Sequence, residues 1–370
     1  MSGKKSVTII GAGTAGLLAA RELSRRNIHT IVYDQKRELG LPVRASGILS
    51  IKGLGELGIY YSRAITNTLY GANIHAGGTK LRIKANAPVA HVLDRKKLND
   101  ICHDEALASG SKVVLGKRMD AKTFESLSAN DIMIGADGAV SSVAKHFSMG
   151  EIRRYILTYK AEFNISAEDS GIVDLFFDNK ISKGLFGWFC PNRSDILEIG
   201  IGIDSRYGNA KTAFEKFIAT DYVSKTISGS RRISEGASII PMSLREKIVD
   251  TKKEVLLVGD AAGQVKPSTG GGIIYGGNAA LMAARTIQDH LNKGASLSEY
   301  TTMYNRKYSI DTAIHRLTNA IYSSIGSDKL GVAVKIMKAM QLGRLLGKYG
   351  DMDMPSLILR NMLISAAGGR

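Results

Sequence analysis

The chain has 370 residues, of which 44% are hydrophobic, and a formal net charge of +16. This length suffices for two joined domains with a sizeable core, whereas two cysteines and seven histidines argue against a disulfide framework and against a metal site. No run approaches the roughly 18 apolar residues of a membrane-spanning helix. The N-terminal residues lead directly into a predicted strand, so we expect no signal peptide and a cytoplasmic protein, peripheral at most to the inner face of the membrane.

The basic residues are spread along the whole chain rather than gathered in one tract. A solvated surface is one explanation of this excess, and an anionic lipid surface or an acidic electron carrier are the others. Basic residues are not interleaved with aromatic ones, and no recognition motif occurs. Nucleic acid is therefore not an expected partner.

The first predicted element is a buried strand over residues 6–10, followed by the turn Gly11-Ala12-Gly13-Thr14-Ala15-Gly16. Its three glycines permit, in order, a tight turn, close approach of a pyrophosphate and close packing of the next helix. A second strand, over residues 27–33, leads to Asp34 and Gln35. The Asp34 carboxylate can accept hydrogen bonds from an adenosine ribose and would repel a 2′-phosphate. A dinucleotide fold is predicted, with a plain tight turn as the alternative.

Two later strand-like runs, over residues 131–134 and 254–258, also end beside an acid. They precede Gly135-Ala136-Asp137-Gly138 and Gly259-Asp260, the latter followed by Pro267, Gly270, Gly271 and Gly272. An acid directly after a parallel strand lies at the ligand-binding edge of the sheet. Asp260 can therefore bind a ribityl hydroxyl, and a helix beginning at Ile273 would direct its positive end at a flavin. Three such segments predict FAD, while ordinary Asp-Gly turns are the alternative.

Short strands between the second and third segments predict an antiparallel sheet, over residues 155–163, 171–177, 186–191 and 196–204, with turns at Asp178-Asn179 and Pro191-Asn192. In the last strand, Gly200 and Gly202 leave one face bare. This face predicts room for a ligand or the flavin edge, with a bulge or a bend as the alternative.

Strand alternation places Phe186, Trp188 and Cys190 on one face. Such a cluster can belong to the core, or it can line a slot for an apolar polyprenyl chain. Helical spacing recurs over residues 296–307, 312–324, 329–349 and 355–367. These segments predict a helical cap over the substrate cavity, with membrane contact through exposed Met and Leu side chains as the alternative. On a continuous helix Lys335 would lie nearly opposite Arg344, so a basic membrane-binding stripe is not expected there.

These segments resemble the flavoprotein superfamily of p-hydroxybenzoate hydroxylase over roughly the first three hundred residues, and within it the archaeal and plant geranylgeranyl reductases. The likeness rests on four segments: Pro42-Val43-Arg44-Ala45-Ser46-Gly47, Asp94-Arg95 with Leu98, Gly259-Asp260-Ala261-Ala262-Gly263 through Pro267 to Gly272, and Phe186-Gly187-Trp188-Phe189-Cys190-Pro191. The last segment is similar to the reductases' Tyr-x-Trp-x-Phe-Pro segment, which lines the prenyl pocket. Here Phe186 replaces the tyrosine and Cys190 the phenylalanine.

The resemblance implies that Arg95 contacts the cofactor, and that Ala45 stands where many members carry a cysteine near the flavin. Arg44 follows the ribose-binding strand and can bind the FAD pyrophosphate or a substrate phosphate. Surface ion pairs are the alternative for both arginines. Tyr275 and Cys190 are the candidates for the acid that supplies a proton.

The activity implied is FAD-dependent reduction of isoprenoid carbon–carbon double bonds, in geranylgeranyl chains of membrane lipids, by hydride transfer from reduced flavin. A flavin-dependent aromatic monooxygenase or halogenase is the alternative, although Gly263 stands where many hydroxylases carry histidine. A lipid-binding protein with structural FAD is the alternative of another class. Because no second dinucleotide fingerprint occurs, we expect an acidic carrier such as ferredoxin as electron donor, with NAD(P)H as the alternative.

The expected fold is α/β, with a Rossmann-like FAD-binding domain interleaved with an antiparallel-sheet substrate domain. The FAD-binding domain is predicted from residues 1–60, 91–150 and 245–294, and the substrate domain from 61–90 and 151–244. Residues 295–370 form the C-terminal helical region.

Overall fold

A six-stranded, mainly parallel sheet contains the strands that lead into the three glycine-bearing segments. The structure is a computed structural model that describes residues 5–41, 46–358 and 360–362. Across the sheet the order is β15 (Val249–Asp250), β16 (Val255–Leu257), β9 (Ile132–Gly135), β1 (Val7–Ile10), β2 (Thr30–Tyr33) and β8 (Lys112–Val114), with only β15 antiparallel to its neighbour. The predicted Rossmann-like sheet is confirmed.

Helices cover this sheet, which explains why its central strands are continuously apolar. Val7 and Ile9 of β1 are completely buried, as expected for a strand with both faces covered. The helices of this part are α1 (Thr14–Arg25), α3 (Arg95–Ala108), α4 (Ala121–Ser128), α5 (Ser142–His146) and α8 (Ile273–Lys293). The helix predicted from Ile273 is confirmed, and it packs against α1.

The predicted antiparallel sheet is also present, and it has seven strands. Their order is β14 (Arg232–Pro241), β10 (Tyr155–Phe163), β13 (Ile196–Asp204), β12 (Gly184–Arg193), β11 (Ile172–Phe176), β5 (Gly71–Ala76) and β6 (Thr79–Lys84), and all neighbours are antiparallel except β11 and β5, which pair in parallel. Helices α6 (Ala210–Ile218) and α7 (Asp221–Thr226) follow β13. A small sheet of β3 (Ile48–Ser50), β7 (Ala90–Leu93) and β4 (Ile65–Leu69) precedes α3, and α2 (Ile51–Leu57) follows β3.

The turn predicted at Pro191-Asn192 is wrong. Strand β12 continues to Arg193, which pairs with Ile196, and the register shift between Pro191 and Arg193 leaves Asn192 outside the regular pairing. A bulge of this kind accommodates a proline, which has no N–H to donate. The turn therefore lies at residues 194–195.

The C-terminal helices differ from the prediction at their boundaries. The two predicted helices over 296–307 and 312–324 form one helix, α9 (Glu299–Ser324), because its buried side continues through Tyr304, Tyr308, Asp311 and His315. The helix predicted over 329–349 is two helices, α10 (Ser327–Ala339) and α11 (Leu342–Tyr349). Gln341 has a left-handed backbone with φ 55°, which ends helical continuity there.

Residues 357–358 and 360–362 are helical, and the remainder of the helix predicted up to residue 367 lies outside the described residues. Among the residues that the structure describes, no helix combines the length and the hydropathy needed to cross a membrane.

The bare face predicted at Gly200 and Gly202 is filled, which corrects the expectation of open space. A Cβ placed on Gly200 would overlap the indole of Trp188, and one placed on Gly202 would overlap the Leu185 side chain. Trp188 lies directly across the strand pair from Gly200. The glycines therefore give room to large side chains of the neighbouring strand rather than to a ligand.

Gly200→Ala should lower the free energy of unfolding by about 1–3 kcal/mol, because the new methyl group overpacks against Trp188. Gly55→Ala in α2 is the matched control, since no atom lies within 4 Å of its added Cβ. That change should be neutral or stabilise by roughly 0.5–1 kcal/mol. Urea denaturation of both variants provides the measurement. Equal stability of Gly200→Ala and wild type would show that the indole is not held against Gly200.

Candidate active site

A cavity of about 990 Å³ lies where the two large sheets and the C-terminal helices meet. One part of its wall comes from the loops at the carboxyl ends of the parallel strands. Another part comes from side chains of the antiparallel sheet. Leu346 and Gly347 of α11, together with residues 350–352, add a third part. The volume is at the upper end for small-molecule and cofactor sites.

The three glycine-bearing loops come together at one edge of the parallel sheet. Gly11, with φ 109°, is so close to the backbone carbonyl of Ala136 that a Cβ there would overlap it. A Cβ on Gly259 would lie 3.0 Å from the Ala15 side chain. The first loop thus packs between the second and the third, and Gly13, Ala15, Gly138 and Gly259 all lie on the cavity wall.

Asp34 lies at the end of β2, next to the first glycine loop. Its carboxylate accepts hydrogen bonds from the backbone N–H of Ala12 at 2.7 Å and of Lys36 at 2.8 Å. Gly16 packs against the carbonyl of Gly11, which brings α1 close to the sheet. The side chain of Gln35 is exposed. Asp34 is therefore positioned by the same loop whose free N–H groups would face a nucleotide.

Arg95 and Asp260 bring opposite charges to the cavity wall. Nη1 of Arg95 is buried and has no hydrogen-bond partner among the described residues. Burial lowers the pKa of Arg95, and the nearby Cys102 and Asp260 partly oppose this effect. Burial raises the pKa of Asp260 to about 6, although Arg95 favours its ionised form. A buried guanidinium with an unpaired N–H fits an anionic ligand such as a pyrophosphate.

Asp137 is engaged within its own turn. Its carboxylate accepts hydrogen bonds from Ser141 Oγ at 2.5 Å and from the N–H groups of Ser142 and Val143 at 2.7 and 3.1 Å. These contacts match the alternative of an ordinary turn that begins α5. Asp137 does not line the cavity, whereas Ala136 and Gly138 beside it do.

The glycine run before α8 forms another part of the cavity wall. Gly270, Gly271, Gly272 and Ile273 all line the cavity, while Pro267 is buried behind them. Gly272, the N-cap residue of α8, provides no side-chain cap, and Gly272, Ile273 and Gly276 line the cavity, so the positive dipole end of α8 lies at the cavity wall.

Lys266 and Asp353 form a buried ion pair that was not predicted from the sequence. Lys266 lines the cavity, and its Nζ lies 2.7 Å from Asp353 Oδ1 and 3.1 Å from the carbonyl oxygen of Met352. Ser50 donates a hydrogen bond to the other oxygen of Asp353. Lysine adjoining a glycine-rich motif is a usable sequence signal, but its partner is 87 residues away.

His315 completes this buried cluster. Its Nε2 lies 3.3 Å from the carbonyl oxygen of Asp353, and its Nδ1 lies 2.6 Å from Ser268 Oγ. A carbonyl can only accept, so Nε2 carries the hydrogen and Nδ1 accepts from the serine. Burial, together with Lys266, lowers the pKa of His315. The histidine is therefore a neutral bridge beneath the cavity.

Phe186 and Trp188 lie on the cavity wall, as the prediction of a prenyl slot requires. The indole Nε1 of Trp188 donates to Glu198 Oε1 at 2.9 Å, and Glu198 pairs with Lys160 at 2.5 Å. These buried charges fix the orientation of the indole. Cys190 shares their cluster but does not line the cavity.

Neither predicted proton donor lies on the cavity wall. Burial raises the pKa of Cys190 well above its ordinary value. Burial likewise raises the pKa of Tyr275, whose hydroxyl donates to the carbonyl of Asp353 at 2.8 Å and whose ring stacks on Tyr308. The predictions for Arg44 and Ala45 fall outside the described residues.

Asp260→Asn should stabilise the flavin-free protein at neutral pH. Because the folded protein raises the Asp260 pKa from 3.8 to about 6, it holds the proton more tightly than the unfolded chain. Stability is therefore lost as pH rises between these values, and asparagine avoids the loss. We expect near-equal stability at pH about 4 and a gain of up to about 3 kcal/mol above pH 6, measured by urea denaturation.

Asp137→Asn is the control for this series, because the Asp137 carboxylate is hydrogen-bonded. It should lower stability at neutral pH by about 1 kcal/mol. An Asp260→Asn protein that loses stability relative to wild type as the pH rises would contradict the assignment of a buried, unfavourable charge.

Two family models and many known proteins match this chain. The model for NAD(P)-binding Rossmann-like domains matches residues 9–47, and the model for lycopene cyclase protein matches residues 210–336. A digeranylgeranylglycerophospholipid reductase of Methanosphaera stadtmanae is 29% identical over 331 residues, which cover 82% of this chain and 80% of the relative. An uncharacterised protein of Methanocaldococcus jannaschii is 26% identical and covers 94% of this chain and 92% of its own.

Solved structures agree with these relatives on the fold. A geranylgeranyl bacteriochlorophyll reductase-like protein from Thermoplasma acidophilum has a TM-score of 0.81, with 19% identity, over 98% of this chain and 96% of its own. A flavin-dependent brominase has a TM-score of 0.71, with 16% identity, over 99% of this chain and 100% of its own. The chain is thus similar to geranylgeranyl reductases along most of their length, in sequence and in fold, and the predicted resemblance to these oxidoreductases is confirmed.

Proposed function

We propose that the protein uses FAD to saturate carbon–carbon double bonds of isoprenoid chains, and that its substrates are geranylgeranyl chains of membrane lipids. One observation carries this proposal. A single cavity of about 990 Å³ has a nucleotide-type wall with Arg95 and Asp260 and an apolar wall with Phe186 and Trp188. The names of the reductase relatives support the choice of substrate class.

The residues of the polar wall fit FAD. The first glycine loop and Asp34 would hold the adenosine half, Arg95 would bind the pyrophosphate, and Asp260 would bind a ribityl hydroxyl. The N-terminus of α8 would face the pyrimidine edge of the ring. Bound FAD, once reduced, supplies the hydride for the reaction. We propose that an acidic carrier such as ferredoxin provides the electrons, since the chain carries a net charge of +16.

The apolar wall suits a polyprenyl chain, which offers no polar group for recognition. Burial of such a chain against Phe186, Trp188, Leu185 and Ile240 gains about 25 cal/mol per Å² of apolar surface. The bond from Trp188 to Glu198 keeps the indole from turning into the space that the chain would occupy. The orientation of the polyprenyl chain along the apolar wall would then decide which of its double bonds is reduced.

Reduction of an alkene adds a hydride to one carbon and a proton to the other, so a proton donor must face the cavity. Tyr275 and Cys190 do not line the cavity, whereas Lys266 does. We propose that Lys266 donates this proton. Asp353 orients Nζ and stabilises its charge, and the neutral His315 and Ser50 complete the cluster that holds Asp353 in place.

The experiment that tests the proposed function is an anaerobic half-reaction. Protein loaded with FAD and reduced by dithionite should be reoxidised by a geranylgeranyl lipid, with a product mass increase of two hydrogens for each bond. Trp188→Ala should lower the second-order rate of reoxidation roughly tenfold to a hundredfold, through lost apolar contact, while the flavin spectrum is unchanged. Phe189→Leu is the matched control, because Phe189 packs on the other side of the sheet and should keep the wild-type rate.

The match to the lycopene cyclase model favours a second candidate, a reaction on an isoprenoid chain without net reduction. The same experiment separates the two. Product of unchanged mass with no reoxidation of the flavin would support rearrangement or cyclisation and would reject reduction.

Lys266→Met combined with Asp353→Asn should slow alkene-dependent reoxidation by about 100-fold or more, because general acid catalysis contributes roughly 10²–10⁴-fold. Both charges are removed so that no unpaired carboxylate remains buried. Reduction by dithionite and retention of FAD should stay unchanged. Lys52→Met, which removes another cavity-lining cation that pairs with Asp351 at 2.7 Å, should retain the rate within a few-fold. A double variant with the wild-type rate would exclude Lys266 as donor.

A further inference from the structure

Helices α9 and α10 each direct a stripe of large apolar side chains away from the body of the protein. On α9 the stripe consists of Ile310, Leu317 and Ile321, which are 68%, 63% and 48% exposed. On α10 and the residue after it, Val332, Ile336 and Met340 are 59%, 54% and 65% exposed. Spacings of four, seven and eight residues place each set on one side of its helix. We call these six residues the apolar stripes.

The opposite side of each helix is fully used for packing. On α10, Leu330, Gly331 and Val334 are buried, and the helix contacts β5 and β6. On α9, Tyr304, His315 and other buried residues face the core. The side chains of the apolar stripes therefore do not belong to the packed side of either helix. Each of these two successive helices therefore presents three large apolar side chains to its surroundings, a pattern that indicates contact with an apolar environment.

Basic residues accompany the stripes. Helices α9, α10 and α11 contain eight lysines and arginines and three acids, of which Asp311 is buried. The basic residues are Arg306, Lys307, Arg316, Lys329, Lys335, Lys338, Arg344 and Lys348. Since the helix breaks at Gln341, the angular comparison of Lys335 with Arg344 on one continuous helix no longer applies. Lys329 lies within the α10 stripe, and Lys335 lies beside it, as on helices that bind anionic lipid surfaces.

Helix α10, which carries one of the stripes, is connected to the cavity wall. Helix α11 contacts α10, and its residues Leu346 and Gly347 form part of the cavity wall. The following segment contributes Met352, which lines the cavity and is 39% exposed. If α10 contacts a binding partner, the part of the cavity wall formed by α11 therefore lies close to that partner.

We propose that the apolar stripes and the lysines around them dock the protein on the surface of a lipid bilayer with anionic headgroups. The apolar side chains would enter the boundary between headgroups and acyl chains, while the lysines pair with the headgroup phosphates. The positive charge of the lysines favours an anionic bilayer over a second copy of this chain, because the lysines of two copies would repel each other. The contact is independent of the redox chemistry, although it would place the cavity next to a lipid substrate.

Vesicle flotation of the full chain tests the proposal, with phosphatidylcholine vesicles that contain or lack phosphatidylglycerol. We expect binding to the anionic vesicles that weakens as salt rises. Val332→Ser, Ile336→Ser and Met340→Ser together should reduce the bound fraction at least about tenfold, and so should the α9 set Ile310→Ser, Leu317→Ser and Ile321→Ser. Lys329→Glu, Lys335→Glu and Lys338→Glu together should abolish the preference for anionic vesicles.

Matched controls carry the same changes elsewhere on the surface. Leu107→Ser, Val140→Ser and Ile233→Ser remove exposed apolar residues that are 45%, 73% and 42% exposed, and they should leave binding unchanged. Turnover of a prenyl substrate dispersed in detergent should be the same in stripe variants and wild type. If wild type shows no such turnover, the proposed function fails while the docking result stands.

Four outcomes would overturn the docking proposal. Vesicle binding could be absent in wild type or equal in stripe variants and controls. The stripe variants could convert an oligomer to a monomer on gel filtration without any vesicle binding, which would assign the face to self-association. Vesicle binding that begins only after deletion of residues 363–370 would show that the chain's own C-terminal segment covers the stripes.

Discussion

The close approach of three backbone loops at one edge of the parallel sheet is the constraint on which the rest of the site depends. Gly11 contacts the carbonyl of Ala136, and Gly259 contacts Ala15, so a larger side chain would force the loops apart. Because β9, β1 and β16 belong to one sheet, backbone hydrogen bonds set the position of each loop. Asp260 comes soon after β16, and the glycine run that follows leads to the N-terminus of α8, so both reach the same cavity.

Much of this arrangement was predictable because its determinants are local. A buried apolar strand, a glycine turn and a helix are adjacent in sequence, so residues 6–16 and 254–273 reveal both the elements and the edge of the sheet where they meet. Alternation likewise identified the antiparallel strands and the shared face of Phe186 and Trp188. The exact domain boundaries and the role of each cofactor residue remain predictions.

The features that sequence reasoning missed depend on partners distant in the chain. Alternation shows that Gly200 leaves a face without a side chain, but it does not show that Trp188 of the neighbouring strand fills the space. Lys266 stands out within a glycine-rich segment, whereas Asp353 is an ordinary acid until folding brings it to Lys266. The break at Gln341 carries no glycine or proline signal, so helical spacing alone suggested one helix.

The charges of the cavity wall divide it into two functional parts. Lys266 is satisfied within the protein by Asp353 and the carbonyl of Met352, but Nη1 of Arg95 has no partner among the described residues. A buried donor without a partner is costly, so the demand for an anionic ligand is concentrated at Arg95. Lys266 instead connects the glycine-rich loop to Met352 and Asp353, which follow α11. The C-terminal helices are thus part of the site itself, since the ion pair that fixes them also fixes a cation beside the apolar wall.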